Sequence, residues 1–332
     1  MQAYRITRGQ GIASLVLASA STRPLGADEV RVRIHAVALN HRDLLVADGR
    51  MGSGAQLVPG SEAAGQVIEV GAGVTRFQSG DRVMPLFFPD WLDGFPEGPR
   101  VGRSLGGNTD GVLAEEFVGS EECFAAIPAH MSYEEAATIP CTGLTAWHAL
   151  RSDGGLRAGS RVLVLGTGGV SIWALQLANS MGMHATVTSS DDAKLERARK
   201  LGADATVNYR TTPEWDREVV RHGGADLVVE IGGQDTIARS LAATRPGGTV
   251  ALVGGVGGGF GVTLDPFALA AGKRLAGVLV GNRAMAEELV AYASQVRLCP
   301  VVDRVFAFGQ AREAYEYLRS GRHFGKVIVS IV

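Results

Sequence analysis

One acidic side chain lies in a stretch whose other residues suit a tight turn. Glu62 belongs to the segment VPGSEAAGQ, residues 58–66, between Gly60 and Gly65 and just before the alternating run VIEVG. A carboxyl group in such a place could serve as a catalytic acid, as part of a metal site, or only as a solvated turn residue. The stretch by itself leaves all three roles open.

A second stretch has the residues needed to hold a phosphate. The run GTGGVS, residues 166–171, follows the apolar strand RVLVL and opens the helical run IWALQLAN. Glycines let the backbone approach a pyrophosphate, and a helix N-terminus supplies amide donors. This context predicts a dinucleotide site and makes a turn that binds nothing the weaker alternative. The predicted cofactor-binding residues here are Gly166, Thr167, Gly168, Gly169 and Val170.

The strand after this turn ends without the acid that usually binds a ribose diol. It closes on Ser190, and Asp191 comes only on the following turn. A neutral Ser190, with Lys194 one helical turn later and Arg197 beyond it, suits a 2′-phosphate better than a diol. NADPH is therefore predicted over NADH. The alternative is that both cations only belong to an exposed, charged helix face.

The elements that position these residues differ between the two parts of the chain. Up to about residue 120, the pattern gives short strands with turn signals, at residues 29–37, 65–71 and 80–85. A helical stretch begins near 134, and apolar strands then alternate with helices. That alternation predicts a parallel sheet covered on both faces. Its six predicted strands are residues 161–166, 185–190, 205–209, 226–230, 249–254 and 275–281.

Composition indicates an ordinary globular protein with small-molecule ligands. The 332 residues include 32 basic and 34 acidic ones, a net charge of −2, so no footprint for nucleic acid or an anionic membrane stands out. Cys123, Cys141 and Cys299 form no paired framework, which fits a reducing compartment. No secretory signal core is present, and no run approaches the ~18 apolar residues that span a bilayer. We therefore expect a cytoplasmic protein.

The motifs GSEAAG, GDRV, GTGGV and a closing GKVIV follow one another in a characteristic order. In this order the chain resembles the medium-chain dehydrogenase/reductase superfamily from end to end, and most of all its zinc-independent branch of quinone oxidoreductases and enone reductases. The resemblance implies an α/β fold in two domains, with the active site in the cleft between them. A GroES-like β-rich catalytic domain would span 1–125 and 283–332, and a Rossmann domain with a doubly wound parallel sheet would span 126–282.

Neither zinc site of the zinc-dependent relatives carries over to this sequence. Those relatives hold the catalytic metal with a Cys, a His and a third thiolate, and the matching positions hold Asn40, Ser61 and Cys141. Zinc needs three protein ligands of N, S or carboxylate type, and one thiolate cannot hold it. The segment 89–111 also lacks the four cysteines of the structural zinc lobe. The resemblance thus predicts no metal.

The resemblance assigns catalysis to one polar loop. Asn40, His41, Arg42 and Asp43 match a loop that lies against the nicotinamide in zinc-free relatives, the alternative being a turn with solvated charges. Lys326 is the family's closing lysine, and its role does not follow from the sequence.

The resemblance also extends the cofactor site. Ser190, Lys194 and Tyr209 match the 2′-phosphate pocket of NADPH-using relatives. Further residues are assigned to the helix that faces the cofactor or to the border of the nicotinamide half; these are Thr142, Gly254, Gly255, Val256, Val280, Gly281 and Asn282.

The absence of a metal from the predicted site limits the classes of molecule that could accept the hydride. The cofactor supplies the hydride, while the protein must stabilise negative charge that develops on the acceptor oxygen. The candidate donors are Asn40, His41, Arg42, the backbone or water, which favours quinones or conjugated carbonyls such as enones and aldehydes. The leading prediction is an NADPH-dependent, metal-free oxidoreductase acting on them.

Two other functions stay open at this point. A zinc-type alcohol or aldehyde dehydrogenase would need unusual ligands such as His41, Asp43, Glu62 and Cys141. A non-catalytic NADPH-binding protein would need none of them.

Two further features bear on substrate and partners. The segment FFPDWLDGF, residues 87–95, could wall a pocket for a flat apolar substrate through Phe88, Trp91 and Phe95, or could be ordinary core or interface packing. The strand at 275–281, if it ends the parallel sheet, offers an apolar edge that relatives pair across a dimer axis, so we expect a homodimer.

Overall fold

The computed structural model describes residues 1–152, 155–256, 261 and 263–331. The chain folds into two compact units, a first unit formed by Met1–Leu144 with Gly281–Val332, and a second unit formed by Thr145–Val280. The sequence placed the division earlier, at 125/126. The segment between these two boundaries packs with the first unit.

The elements alternate as β-rich and α/β regions along the chain. The strands are β1 Gln2–Thr7, β2 Val16–Ser19, β3 Glu29–Leu39, β4 Gln56–Leu57, β5 Ala63–Val70, β6 Arg82–Pro85, β7 Glu116–Ser120, β8 Phe124–Ala126, β9 Arg161–Leu165, β10 His184–Ser189, β11 Ala205–Asn208, β12 Ala225–Glu230, β13 Thr244–Leu252, β14 Arg274–Gly277, β15 Val302–Ala307 and β16 Lys326–Ser330. The helices are α1 His41–Ala47, α2 Gly98–Val101, α3 Tyr133–Ala136, α4 Leu144–Arg151, α5 Gly169–Ser180, α6 Asp192–Lys200, α7 Trp215–Arg221, α8 Ile237–Ala243, α9 Arg283–Gln295 and α10 Ala311–Arg319.

The first unit is built on a mainly antiparallel sheet. Its strand order is β15-β16-β3-β5-β6-β8, with β7 also on β3, and a small sheet β2-β1-β4 lies apart from it. Along β3, Val30, Val32 and Ile34 are buried and alternate with more exposed residues, the period of a strand with one face on the core. Antiparallel pairing of Val327 with Leu39 places Lys326 beside the end of β3.

The second unit is a doubly wound parallel sheet, as the sequence predicted. Its strand order β11-β10-β9-β12-β13-β14 is that of a Rossmann fold, and every neighbouring pair is parallel. The predicted sixth strand, 275–281, is shorter in the structure. It ends at Gly277, because Val280 adopts a φ of 40°, which a β-branched residue rarely takes and a strand does not contain.

The helical stretch expected near 134 is interrupted. α3 is followed by a π-helical turn, Ile139–Gly143, before α4 begins. Pro140 lacks an amide proton, and the Gly143 amide donates to the Thr138 carbonyl five residues earlier, at 2.9 Å. The break changes where the amides of this turn point, as described below.

Helices α9 and α10 bury one face each, whereas α5 is buried on most sides. In α10, Ala311, Ala314, Tyr315 and Leu318 are buried at the spacing of a single helix face. Within the described ranges, none of the helices combines the length and the apolar character needed to cross a membrane.

Candidate active site

A buried ion pair lies where β16 meets the end of β3. The Nζ atom of Lys326 lies 2.5 Å from Oε1 of Glu62, and the two side chains are only 3% and 0% exposed. Lys326 is the first residue of β16, and Glu62 directly precedes β5. With Asn40 and Thr142 they form what we term the Lys326 cluster, which lies wholly within the first unit.

Lys326 is surrounded by oxygen acceptors. Its ammonium nitrogen lies 2.7 Å from the Leu39 carbonyl oxygen, 2.8 Å from Asn40 Oδ1 and 2.9 Å from Thr142 Oγ1. An ammonium group carries three donors and no acceptor, so its three N–H groups are shared among these three oxygens and Glu62 Oε1. Charge-assisted hydrogen bonds of this kind offset part of the cost of removing the ion pair from water.

Glu62 uses its carboxylate to hold the π-helical turn. Its Oε2 accepts from the Cys141 amide at 2.8 Å and from the Thr142 amide at 2.9 Å, and its Oε1 lies 2.8 Å from Thr142 Oγ1. In an unbroken α-helix, those amides would donate to carbonyls four residues earlier. Glu62 therefore joins the turn to β16, a larger structural role than anchoring its own turn.

The predicted catalytic loop opens α1. The Asn40 amide donates to Asp43 Oδ2 at 2.8 Å, so Asp43 closes the first turn of the helix from its third position. Asp43 is buried, and its Oδ1 has no hydrogen-bond partner within the described residues. Burial raises the pKa of Asp43 to about 6, with the nearby Glu62 carboxylate adding to the rise.

The other two residues of the loop face different surroundings. Arg42 donates to the Leu105 carbonyl at 2.7 Å and to Ser104 Oγ at 3.3 Å, and its guanidinium lies 4.4 Å from the centre of the Phe87 ring. These contacts occupy Arg42 in holding a neighbouring loop. His41 is exposed.

The three positions that match zinc ligands lie around Glu62. Asn40 Nδ2 donates to Ser61 Oγ at 3.3 Å, and Cys141 contacts Glu62 through its amide. Desolvation raises the pKa of the Cys141 thiol, and the Glu62 carboxylate raises it further. No group of three or more His, Cys, Asp or Glu side chains within the described ranges is arranged to hold a metal ion.

The three aromatic residues predicted to line a substrate pocket differ in their exposure to solvent. Trp91 is 1% exposed and Phe88 is also buried, whereas Phe95 is 81% exposed. Trp91 Nε1 donates to the Gly94 carbonyl at 3.0 Å, and the Arg283 amide at the start of α9 donates to the Trp91 carbonyl at 3.0 Å. Trp91 is thus a core residue that fixes its own loop.

In the second unit, the predicted phosphate turn places a left-handed glycine between β9 and α5. Gly166 takes a φ of 73°, and a Cβ placed there would come within 3.2 Å of the Ile231 side chain. Gly168 directly precedes α5, in the N-cap position, and provides no side-chain cap. By contrast, the Asp191 carboxylate at the start of α6 accepts from the Ala193 and Lys194 amides. Among the described residues, the N-cap side chain therefore takes none of the first amides of α5, the arrangement expected of a helix start that binds an anion.

A buried carboxylate supports this turn from the end of β12. Glu230 is fully buried and accepts hydrogen bonds from the Gly232 amide at 2.7 Å, the Gly233 amide at 3.0 Å and Thr236 Oγ1 at 2.6 Å. The Ser240 hydroxyl also donates to it. These bonds fix the turn that carries Ile231 beside Gly166.

The predicted 2′-phosphate residues follow the next two strands. Ser190 comes directly after β10, Lys194 lies in the first turn of α6, and Tyr209 follows β11 with an exposed ring. Because β10 and β11 are parallel neighbours, Ser190 and Tyr209 leave the same edge of the sheet. The Tyr209 amide donates to the Ser189 carbonyl at 3.0 Å.

The residues assigned to the nicotinamide half are divided between the units. Gly254, Gly255 and Val256 follow β13, and the Val256 amide donates to the Ile231 carbonyl at 3.1 Å. Val280 ends the second unit in its strained conformation, and its carbonyl lies 3.1 Å from Nδ1 of His148. Gly281 and Asn282 belong to the first unit, where the Asn282 side chain caps α9.

Comparisons with known proteins agree with both units. A family model described as alcohol dehydrogenase GroES-like domain matches residues 26–129, and one described as zinc-binding dehydrogenase matches residues 169–295. A zinc-type alcohol dehydrogenase-like protein of Schizosaccharomyces pombe is 39% identical over 319 residues, which cover 92% of each chain. The chain belongs to the medium-chain dehydrogenase/reductase superfamily.

Solved structures of the superfamily include alcohol dehydrogenases and quinone oxidoreductases. A crystal structure titled NAD-dependent alcohol dehydrogenase matches with a TM-score of 0.89 and 33% identity over all of both chains. The quinone oxidoreductase of Pseudomonas syringae pv. Tomato DC3000 matches with a TM-score of 0.84 and 25% identity over 99% of both chains. The protein is therefore an oxidoreductase of this NAD(P)-dependent superfamily.

Within this member of the superfamily, sequence reasoning missed two partnerships. The pairing of Glu62 with Lys326 and the donor shell of Glu230 were both unforeseen. A signal existed for each, because Lys326 opens the buried strand KVIVS and Glu230 ends the buried strand ADLVVE. Charged side chains are almost never fully buried unless they are paired.

Proposed function

We propose that the protein is an NADPH-dependent, metal-free oxidoreductase that transfers a hydride to a quinone or a conjugated carbonyl, such as an enone or aldehyde. The observation that carries this proposal is the Lys326 cluster, because an ammonium group stands among the positions that hold zinc in the zinc-dependent relatives. The acceptor gains a hydride from NADPH and a proton from water, and the products are the reduced acceptor and NADP⁺.

The residues at the zinc positions do not fit a zinc ion. Asn40 and Ser61 are neutral, and the raised pKa of the Cys141 thiol disfavours the thiolate that zinc requires. The Lys326 ammonium, 2.8 Å from Asn40 Oδ1, would also repel a dication. Both oxygens of Glu62 already accept hydrogen bonds. These features support a site that polarises its substrate by hydrogen bonds.

Asn40 is the best candidate donor to the acceptor oxygen. Arg42 is engaged by Ser104 and Leu105, and Asp43 closes the first turn of α1. Asn40 keeps one side-chain N–H without a hydrogen-bond partner in the described part of the chain. One amide donor stabilises charge less than a metal does, which favours acceptors that delocalise their charge.

The cofactor proposal rests on the second unit. The bound dinucleotide supplies the hydride. The turn Gly166–Val170 and the N-terminus of α5 would hold its pyrophosphate, and Ser190, Lys194 and Tyr209 would hold a 2′-phosphate. Asp191 and Asp192 support this choice, because Asp191 caps α6 and Asp192 accepts from Asn208 Nδ2 at 2.8 Å. Neither acid is left to bind a ribose diol alone.

An oxidation screen tests the proposal. Metal-analysed protein is incubated with NADPH or NADH and a panel of quinones, enones, aldehydes and ketones, and absorbance of the reduced cofactor is followed. We expect turnover of quinones or enones with NADPH that persists after chelation. Stoichiometric zinc with chelator-sensitive alcohol oxidation would instead support a zinc-type dehydrogenase. Cofactor binding without any turnover would support a non-catalytic NADPH-binding protein.

A matched pair of variants tests the cofactor residues. Ser190→Asp should shift the ratio of kcat/KM for NADPH over that for NADH toward NADH by about tenfold or more, since the new carboxylate repels a phosphate and binds a diol. Ser180→Asp is the control, because Ser180 ends α5 away from this strand edge. An unchanged ratio in Ser190→Asp would remove Ser190 from the cofactor site.

Substrate contact and assembly are further parts of the proposal. Phe95, the exposed member of the aromatic segment, is the best placed of the three predicted residues to contact a flat acceptor. For assembly, β14 is the outermost strand of its sheet, and Leu279 just beyond it is exposed. A second copy pairing along this edge would cover it, and light scattering should then give twice the mass of one chain.

A further inference from the structure

A side-chain amide can present either face to a substrate. The oxygen of asparagine accepts hydrogen bonds, its nitrogen donates them, and a half-turn of the group exchanges the two at almost no cost in shape. An asparagine that stabilises a developing oxyanion must present nitrogen. Whatever fixes the rotation of Asn40 therefore decides whether it helps or opposes the reaction.

The neighbours of Asn40 allow one rotation only. Lys326 lies 2.8 Å from Oδ1 and can only donate, so an exchange of the amide would set an NH₂ group against an ammonium. Thr142 Oγ1 lies 2.9 Å from the same oxygen. The nitrogen then points to the other side, where it donates to Ser61 Oγ at 3.3 Å. Its second proton has no acceptor within the described residues.

Glu62 holds this arrangement in place. Its carboxylate lies 2.5 Å from Lys326 Nζ and accepts from the Thr142 amide at 2.9 Å, so it fixes both groups that contact the Asn40 oxygen. Lys326, Glu62 and Thr142 are buried, whereas Asn40 is only half-buried. The cluster thus has a rigid interior and one group that reaches toward the surface.

We propose that Lys326 and Glu62 are positioning residues that lock the Asn40 amide so that one N–H donates to Ser61 and the other serves as the donor for the oxygen of the carbonyl acceptor. The proposal rests on the function proposed above. Lys326 acts through Asn40 and touches no substrate. Ser61 is part of the same hydrogen-bonded arrangement, since its hydroxyl oxygen accepts from one N–H of Asn40 and the other N–H remains for the ligand.

The orientation can be measured without any activity. The sequence has five asparagines, so selective ¹⁵N-asparagine labelling gives five side-chain signals, and Asn40→Asp assigns the one of Asn40. In the wild type, the Nδ2 protons of Asn40 should show nuclear Overhauser contacts to the Ser61 β-protons. In the charge-balanced variant Lys326→Met/Glu62→Gln, these contacts should weaken or vanish. Contacts that persist at full strength would overturn the proposal.

Steady-state kinetics test whether the fixed orientation of the Asn40 amide accelerates the reaction. Lys326→Met/Glu62→Gln should lower kcat about tenfold or more and change KM for NADPH by no more than about twofold, because donor alignment matters chiefly in the transition state. In an Asn40→Ala background, the same two changes should lower kcat no further. An equal fall in that background would mean that the pair acts independently of Asn40, contrary to the proposal.

Two controls keep the outcomes separate. Lys273→Met removes another partly buried lysine, whose Nζ donates to the Leu241 carbonyl at 2.7 Å in the second unit, and should leave kcat unchanged. If the wild type reduces no acceptor in the screen, the proposed function fails. The amide signals of Asn40 then still decide whether Lys326 fixes its orientation.

Discussion

Glu62 and Glu230 are two fully buried carboxylates that are stabilised in different ways. Glu62 faces the Lys326 ammonium in addition to amides and a hydroxyl, whereas the contacts of Glu230 within the described residues come from two amides and two hydroxyls. Neutral donors suffice to hold a backbone turn at the end of β12. At Glu62 the cation adds a contact that neutral donors do not provide, because Lys326 also lies 2.8 Å from Asn40 Oδ1.

The largest expected difference between the two sites follows from removing the cation. Lys326→Met leaves Glu62 buried without its counter-ion and should lower the free energy of unfolding of the first unit by about 3–5 kcal/mol. Urea unfolding read by amide hydrogen exchange in β3 and β16 reports on this unit by itself. The double variant Lys326→Met/Glu62→Gln should recover much of the loss. A double variant no more stable than Lys326→Met would contradict the assignment of the cost to an unpaired charge.

The next effect is a pH dependence confined to the first unit. The folded chain holds the Asp43 proton up to about pH 6, while an unfolded chain releases it near its ordinary pKa of 3.8. Between these values the folded state binds more protons, so the free energy of unfolding should fall by up to about 3 kcal/mol as pH rises from about 4 to 6.

Asp43→Asn keeps the oxygen that accepts the Asn40 amide and should abolish this fall. Glu230→Gln serves as the control and should retain it, because the change lies in the second unit. Unfolding titrations at several pH values measure both. A slope that persists in Asp43→Asn would assign the titration to another group.

The smaller expected effect is at Glu230 itself. Glu230→Gln keeps one carbonyl oxygen for Gly232, Gly233 and Thr236, and the Ser240 hydroxyl can rotate to accept from the new NH₂ group. Since no buried ammonium loses its partner, the free energy of unfolding should drop by only about 1–2 kcal/mol. Differential scanning calorimetry of Glu230→Gln beside Glu62→Gln tests the ranking. A larger loss at Glu230 would reverse the comparison.

The smallest expected effect is the loss of a single hydroxyl group at each of the two carboxylates. Ser240→Ala removes one of the four donors that Glu230 has among the described residues and should cost about 1 kcal/mol. The matched change Thr142→Val removes a hydroxyl that contacts both Glu62 and Lys326, and should cost about 2 kcal/mol because contacts with two charged groups are lost instead of one. Calorimetry on both variants gives the ratio, and equal losses would argue against a special role for the cation.

Much of the second unit could be predicted from the sequence because its signals are local. Strands such as RVLVL and ADLVVE contain clear apolar runs, and the glycines of residues 166–171 mark a tight turn between a strand and a helix. The strand predicted at 275–281 is shorter in the structure because the φ angle of Val280 is positive. Apolar composition does not reveal such a conformation.

The Lys326 cluster was beyond such reasoning because its members come from distant parts of the chain. Asn40, Glu62, Thr142 and Lys326 meet only through the pairing of β16 with β3 and the π-helical turn at Ile139–Gly143. Pro140 marks a break in the helix, yet it does not show that the displaced amides donate to Glu62. The family's closing lysine could be recognised from sequence, but its partner could not.

The separation between Glu62 and Lys326 has a consequence for synthesis of the chain. The two residues are 264 positions apart, and all of Thr145–Val280 lies between them. At the usual translation rate of roughly 5–20 residues per second, Lys326 is synthesised about 13–50 s after Glu62. During that interval the first unit lacks β16 and with it the cation that pairs with Glu62. The nascent protein therefore acquires its candidate active site only after the second unit has been synthesised.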